Sequence, residues 1–267
     1  MIVYSAFVPH PPLIVPGVGK GREKQLKKTE MALARVAKDI ASSEPDTILV
    51  ITPHARSLFD RFNVCGMEKL TGSLAEFELG QPLWEGRGNP GLARLICERS
   101  EKEGIAATCY DDGESGYELD YGSLVPLYFI SQQLEFSCKV LPIGYSLLSR
   151  AEHFVFGQAI GEACAESRER IAIIASGDLS HRLGYKIPEG FGFDGERFDH
   201  EFIRNLKEND VAAVLEMDEE LVESAGECGY RSALVLLGII SDLSNGFDEY
   251  SYEGPYGIGH LVGRFKI

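Results

Sequence analysis

What most limits the fold of this chain is its alternation of short apolar runs with longer stretches of helical period. Seven runs read as strands: Ile2 to Val8, Thr47 to Thr52, Ile105 to Cys109, Cys138 to Ile143, Ile171 to Ser176, Tyr250 to Glu253 and Ile258 to Phe265. Between the first two, Gly21 to Ser42 places Leu26, Leu33, Val36, Ala37 and Ile40 on one face with lysines and acids opposite, the mark of a helix packed on a sheet. The same period predicts helices at Gly91 to Lys102, Ser123 to Leu134, Ser149 to Glu166, Glu196 to Glu208 and Arg231 to Leu243. Strands and helices in this order make βα units, so the expected fold is α/β, with a central mixed sheet flanked by helices. No linker, repeat or shift of composition divides the chain, and residues 1–267 read as one domain.

Apolar residues make up 44% of the chain, enough for a sizeable core. A formal net charge of −15 repels both nucleic-acid phosphates and anionic membrane surfaces, which leaves a small molecule or a protein as partner. No apolar run approaches the ~20 residues needed to span a bilayer. Met1 opens directly into IVYSAFV without a basic leader, and the expected location is cytoplasmic. Six cysteines without a CxxC pair point to reduced, structural thiols, not to a zinc ribbon. Oligomeric state is open, and a homo-oligomer or a partner subunit fits equally well.

Three of the six histidines share one position. His10 follows IVYSAFVP, His54 follows TILVITP, and His181 follows IAIIASGDLS. Each lies just beyond the carboxyl end of a predicted strand, where α/β sheets form their ligand crevice. Neutral imidazole ligates borderline metals and exchanges protons near neutral pH, so three of them in one crevice suit a metal pocket with a base beside it. A carboxylate would complete a facial triad. Glu227, in SAGECGYRSALVLLG, stands out among 41 acids, with Cys228 beside it as a softer donor.

Other signals carry less. Gly17, Gly19, Lys20 and Gly21 lack the spacing of a phosphate loop, and Ser180 next to His181 is not framed by a nucleophile elbow. His153, His200 and His260 read as structural or surface residues, and Trp84 as a core anchor.

In their order, FVPHPPLIVPGVGKG, DTILVITPHA, ELDYGSLVPLYF, IAIIASGDLSHRL and AGECGYRSALVLLG resemble the class III extradiol dioxygenases, over nearly the whole chain. The resemblance implies that His10, His54 and Glu227 hold Fe(II), with Zn as another divalent ion such a site could carry. It also implies that His181 is the catalytic base, that O2 is a co-substrate, and that the other substrate is a small aromatic diol or aminophenol. Many members carry a histidine where Tyr121 stands, so Tyr121 is the expected substrate contact; a phenol donates a hydrogen bond but cannot shuttle protons at neutrality. The related Memo proteins resemble the same segments, yet their metal set pairs the two early histidines with the one matching His181, and they carry a cysteine where Cys228 stands. Resemblance to them implies a metal-binding or redox protein without ring cleavage.

Overall fold

The computed structural model describes residues 1–56, 58–111, 116–134, 138–184 and 194–267. Its strands are β1 (Ile2–Val8), β2 (Thr47–Thr52), β3 (Phe62–Cys65), β4 (Lys69–Leu74), β5 (Leu79–Arg87), β6 (Ala107–Tyr110), β7 (Tyr117–Glu118), β8 (Lys139–Gly144), β9 (Ile171–Ser176), β10 (Phe247–Glu253) and β11 (His260–Phe265). The helices are α1 (Lys27–Ser42), α2 (Pro90–Lys102), α3 (Tyr121–Ser131), α4 (Arg150–Ser167), α5 (Gly195–Lys207), α6 (Val211–Leu215), α7 (Glu219–Ala225) and α8 (Tyr230–Ile239). Eight strands form one mixed sheet in the order β10-β11-β1-β9-β2-β8-β3-β6, and β5-β4-β7 form a second, smaller one. This is the α/β architecture that the alternation predicts.

At the centre, β1, β9, β2 and β8 run parallel, and their residues are nearly all buried and apolar because helices cover both faces. One side of the sheet packs on α4, α8, α2 and α5, through residues such as Phe7, Phe156, Ile160, Phe198 and Leu234. The other packs on α1 and α3, through Leu33, Val36, Ile40, Leu124 and Leu127. Among the described residues no helix is long and apolar enough to cross a membrane.

Helices α4 and α8 touch backbone to backbone, and glycine permits it. A Cβ on Gly157 would stand 2.1 Å from the carbonyl oxygen of Val235, and one on Gly238 2.1 Å from that of Phe154. Gly157→Ala therefore drives a methyl into a rigid carbonyl. The gain in helix propensity, ~1 kcal/mol, is outweighed by overpacking at the upper end of the usual range, about 3 kcal/mol. The urea midpoint should fall with an unchanged slope; an equal or higher midpoint would contradict this packing.

Candidate metal centre

The register of the parallel strands builds the site. Val8 pairs with Ser176 and Ile51 with Ala175, so β1, β9 and β2 end at one level. Two residues beyond each end stand His10, Asp178 and His54. Pro9 and Pro53 precede the two histidines, and a proline has no N–H to continue a ladder, so the chain leaves the sheet there. At the third position Gly177 lets the segment around Gly229 pass close: a Cβ on Gly177 would meet the Gly229 Cα at 2.1 Å. Gly229 N–H donates to the Asp178 carbonyl at 2.9 Å, and this contact brings Cys228 to the strand ends.

His10 is 1% exposed and its tautomer follows from its partners. The Ser176 hydroxyl donates its one proton to the Gly122 carbonyl at 2.6 Å, so at 2.9 Å from His10 Nδ1 it accepts. Nδ1 carries the ring proton, and Nε2 presents a lone pair, the arrangement of a metal-ligating histidine whose other ring N–H is held by a hydrogen-bond acceptor. That Nε2 faces His54 Nε2 at 3.2 Å and Cys228 Sγ at 3.6 Å. Burial lowers the pKa of both rings, His54 to about 4, with His10 lowering it further. Both histidines are therefore neutral and available as ligands.

The two spacings made by His10 Nε2 match those around a shared ion. Two nitrogens about 2.0–2.1 Å from a tetrahedral ion stand roughly 3.3 Å apart, and a nitrogen and a thiolate about 2.3 Å from it stand roughly 3.6 Å apart. Among the described residues, two sets of donor atoms lie within 4.8 Å of one another: His10, His54 and Cys228, and Asp178, His181 and Cys228. Burial and the Asp178 charge raise the Cys228 pKa well above that of a free thiol. A cation would reverse this and the Asp178 N–H, 3.2 Å from Sγ, would then stabilise the thiolate.

Glu227, expected as the carboxylate ligand, is in neither set. Its carboxylate turns to the start of α8, where it accepts the Tyr230 N–H at 2.5 Å. Burial pushes that carboxyl up to about 7, against the pull of backbone N–H groups and of Arg231 and Arg150. Glu223, one helical turn before Glu227, is exposed on α7.

Tyr121 stands against both histidines. Its ring stacks on His54 with centroids 4.1 Å apart and meets His10 edge-on at 5.4 Å. Asp120 fixes it there by capping α3 and accepting the Thr52 hydroxyl at 2.7 Å. Burial pushes the phenol pKa up, so it stays a hydrogen-bond donor. His181 is two-fifths exposed, its Nε2 3.9 Å from both Asp178 Oδ2 and Cys228 Sγ.

Beside these residues lies a cavity of about 190 Å³, lined by Pro11, Leu13, Phe77, Tyr121, His181 and Ile258 among others. A dry cavity of roughly 150 Å³ accepts benzene, so this one is of single-ring size. Asp178 and His260 also line it, and neither stood out in the sequence. Asp178 could have been found from the three-strand regularity that singled out His10 and His54.

A family model described as the catalytic LigB subunit of aromatic ring-opening dioxygenase matches residues 4–263. Protein CA_C1420 of Clostridium acetobutylicum is 37% identical over 264 residues, covering 97% of this chain and 56% of that protein. A 3,4-dihydroxyphenylacetate 2,3-dioxygenase of Escherichia coli is 25% identical over 170 residues, 61% of this chain and 59% of that enzyme. The chain thus spans little more than half the length of these two relatives. A MEMO1 family protein of Methanosarcina mazei is 21% identical over 218 residues, 78% of each. A protein of Escherichia coli K12, solved as uncharacterized, shares the fold with a TM-score of 0.62 at 16% identity, over 98% of this chain and 99% of that one.

Proposed function

This chain belongs to the family of the catalytic LigB subunit of aromatic ring-opening dioxygenase, and from that premise we propose that it is a non-haem Fe(II) enzyme that opens one aromatic ring bearing adjacent hydroxyls, or a hydroxyl and an amine, with O2. The observation that carries this reading is the pair of facing His10 and His54 nitrogens, 3.2 Å apart, at the side of a cavity of single-ring size. His10, His54 and Cys228 hold the ion, and Glu227 caps α8. When bound, Fe(II) supplies Lewis acidity toward a ring hydroxyl and redox reactivity toward O2.

The chain's own residues do the rest. His181 accepts the proton of a ring hydroxyl at Nε2, and Asp178, 3.9 Å from that nitrogen, stabilises the imidazolium that results. Tyr121 donates its phenolic proton to a substrate oxygen and covers His54. Pro11, Leu13, Phe77 and Ile258 exclude water from the ring.

A second reading is favoured by Cys228 in particular. A thiolate among the donors suits a Memo-like metal-binding or redox protein that does not cleave rings. Anaerobically purified protein loaded with Fe(II) is expected to take up O2 with a panel of single-ring catechols and to form a yellow ring-opened product. Tight metal binding without uptake across the panel would leave the Memo-like reading in its place.

A further inference from the structure

At the edge of the large sheet, away from the metal donors, two thiols meet. Cys97 is on α2 and Cys109 on the edge strand β6, and both line an open cavity of about 610 Å³ together with Arg94, Glu98 and Glu101. Both are partly exposed, whereas Cys65, Cys138 and Cys164 are buried. In the parallel β3–β6 ladder Val64 pairs with Cys109, and the Gly66 N–H continues the ladder by donating to the Tyr110 carbonyl at 2.7 Å. Gly66 leaves room for the sulfur, since a Cβ there would stand 2.5 Å from Cys109 Sγ. Cys109 is thus seated against the end of β3, and the Cys97 thiol hydrogen-bonds it from α2.

That hydrogen bond, together with Arg94, brings the Cys109 thiol down to about 7 against the effects of partial burial and Asp111. The same hydrogen bond and burial push Cys97 up, and burial raises Cys65, Cys138, Cys164 and Cys228. Cys109 is therefore the one cysteine of six that ionises readily near neutral pH. A thiolate beside a thiol, in a cavity open to small molecules, supplies the attacking and resolving groups of thiol–disulfide exchange.

We propose that Cys97 and Cys109 form a thiol–disulfide exchange site whose substrate is a low-molecular-weight disulfide, R–S–S–R. The Cys109 thiolate attacks one of its sulfurs, forming a Cys109–S–S–R mixed disulfide and releasing RS⁻, which takes up a proton. Cys97 then gives its proton to solvent and attacks the Cys109 sulfur, forming the Cys97–Cys109 bond and releasing the second RS⁻. The two protein thiols are oxidised by two electrons, and the small disulfide is reduced to two thiols. The product ties α2 to the edge strand, and the assignment does not rest on the ring-diol reading.

The test is anaerobic titration of the Fe(II)-loaded protein with the neutral 2-hydroxyethyl disulfide, read by intact mass and peptide mapping. The wild type is expected to lose two hydrogens and to yield a Cys97–Cys109 cross-link. Cys97→Ser should stop at one hydroxyethylthio adduct on Cys109, and Cys109→Ser should react about tenfold more slowly, through thiols that are protonated at neutral pH. The wild-type rate should level off above about pH 7, where Cys109 is already ionised, instead of rising through the free-thiol range of about 8.5. If a serine variant does not fold, iodoacetamide labelling of the unsubstituted protein carries the test, with Cys109 expected to be alkylated first. A mixed disulfide left unresolved in the wild type, oxidation confined to Cys228, a Cys109→Ser rate equal to that of the wild type, or alkylation of Cys109 no faster than of the others would overturn the assignment.

Discussion

Replacing His10 or His54 with alanine is expected to weaken Fe(II) binding by more than about 100-fold, because loss of even an outer partner of a ligand costs roughly 10–100-fold. The two nitrogens face each other at 3.2 Å, a separation that suits a hydrogen bond from His54 Nε2–H to His10 Nε2 and equally a cation shared by the two lone pairs. Ser176→Ala supplies the comparison. It removes the acceptor that holds the His10 Nδ1 proton and leaves both ligands in place, so its loss should fall inside the smaller range. Competition with a chelator of known affinity measures all three variants. Metal affinity within about threefold of the wild type in both alanine variants would remove the centre from this place in the fold, since a donor lost from so small a set cannot go unnoticed.

The residues that could be read from the sequence are those whose position is local. β1, β2 and β9 have the bounds their apolar runs predict, and His10, His54 and His181 follow from them. β4 and β5 were not legible: KLTGSL and LGQPLWEGR carry glycines, a proline and charges, and their pairing shifts register twice. The five-residue α6 and seven-residue α7 are too short for a period to show. β6 lies at Ala107–Tyr110, beyond the predicted start at Ile105, and α8 ends at Ile239, short of Leu243.

Within the site, what stayed hidden depends on distant pairing. His260 resembles any polar residue of an edge-side strand until the 257–259 segment pairs with 179–183 and sets it beside Asp178. Glu227 and Cys228 are adjacent, so spacing could not separate them. The start of α8 does, because its free N–H groups draw the carboxylate and leave the thiol facing His10.

That division of labour sets the last and sharpest expectation. Cys228→Ala should release the metal, and Glu227→Gln should retain it, its amide oxygen still able to accept the Tyr230 N–H at the start of α8. His181→Ala should also retain metal but lose turnover, by about 10²- to 10⁴-fold, the typical contribution of a positioned acid or base. The physical distinction is between a donor atom, whose loss is felt in the resting protein, and a proton acceptor, whose loss is felt only as the reaction proceeds. His181 is two-fifths exposed and its Nε2 is 3.9 Å from Cys228 Sγ, whereas His10 Nε2 is buried, 3.6 Å from that sulfur and 3.2 Å from His54 Nε2, which favours His10 and His54 as the partners of Cys228. Metal content and O2 uptake measured side by side on the three variants separate the outcomes. Metal lost from Glu227→Gln and kept in Cys228→Ala would return the carboxylate to the ion. Metal lost from His181→Ala would make that histidine a ligand, leave the pocket without its base, and move the protein to the Memo-like side of its relatives.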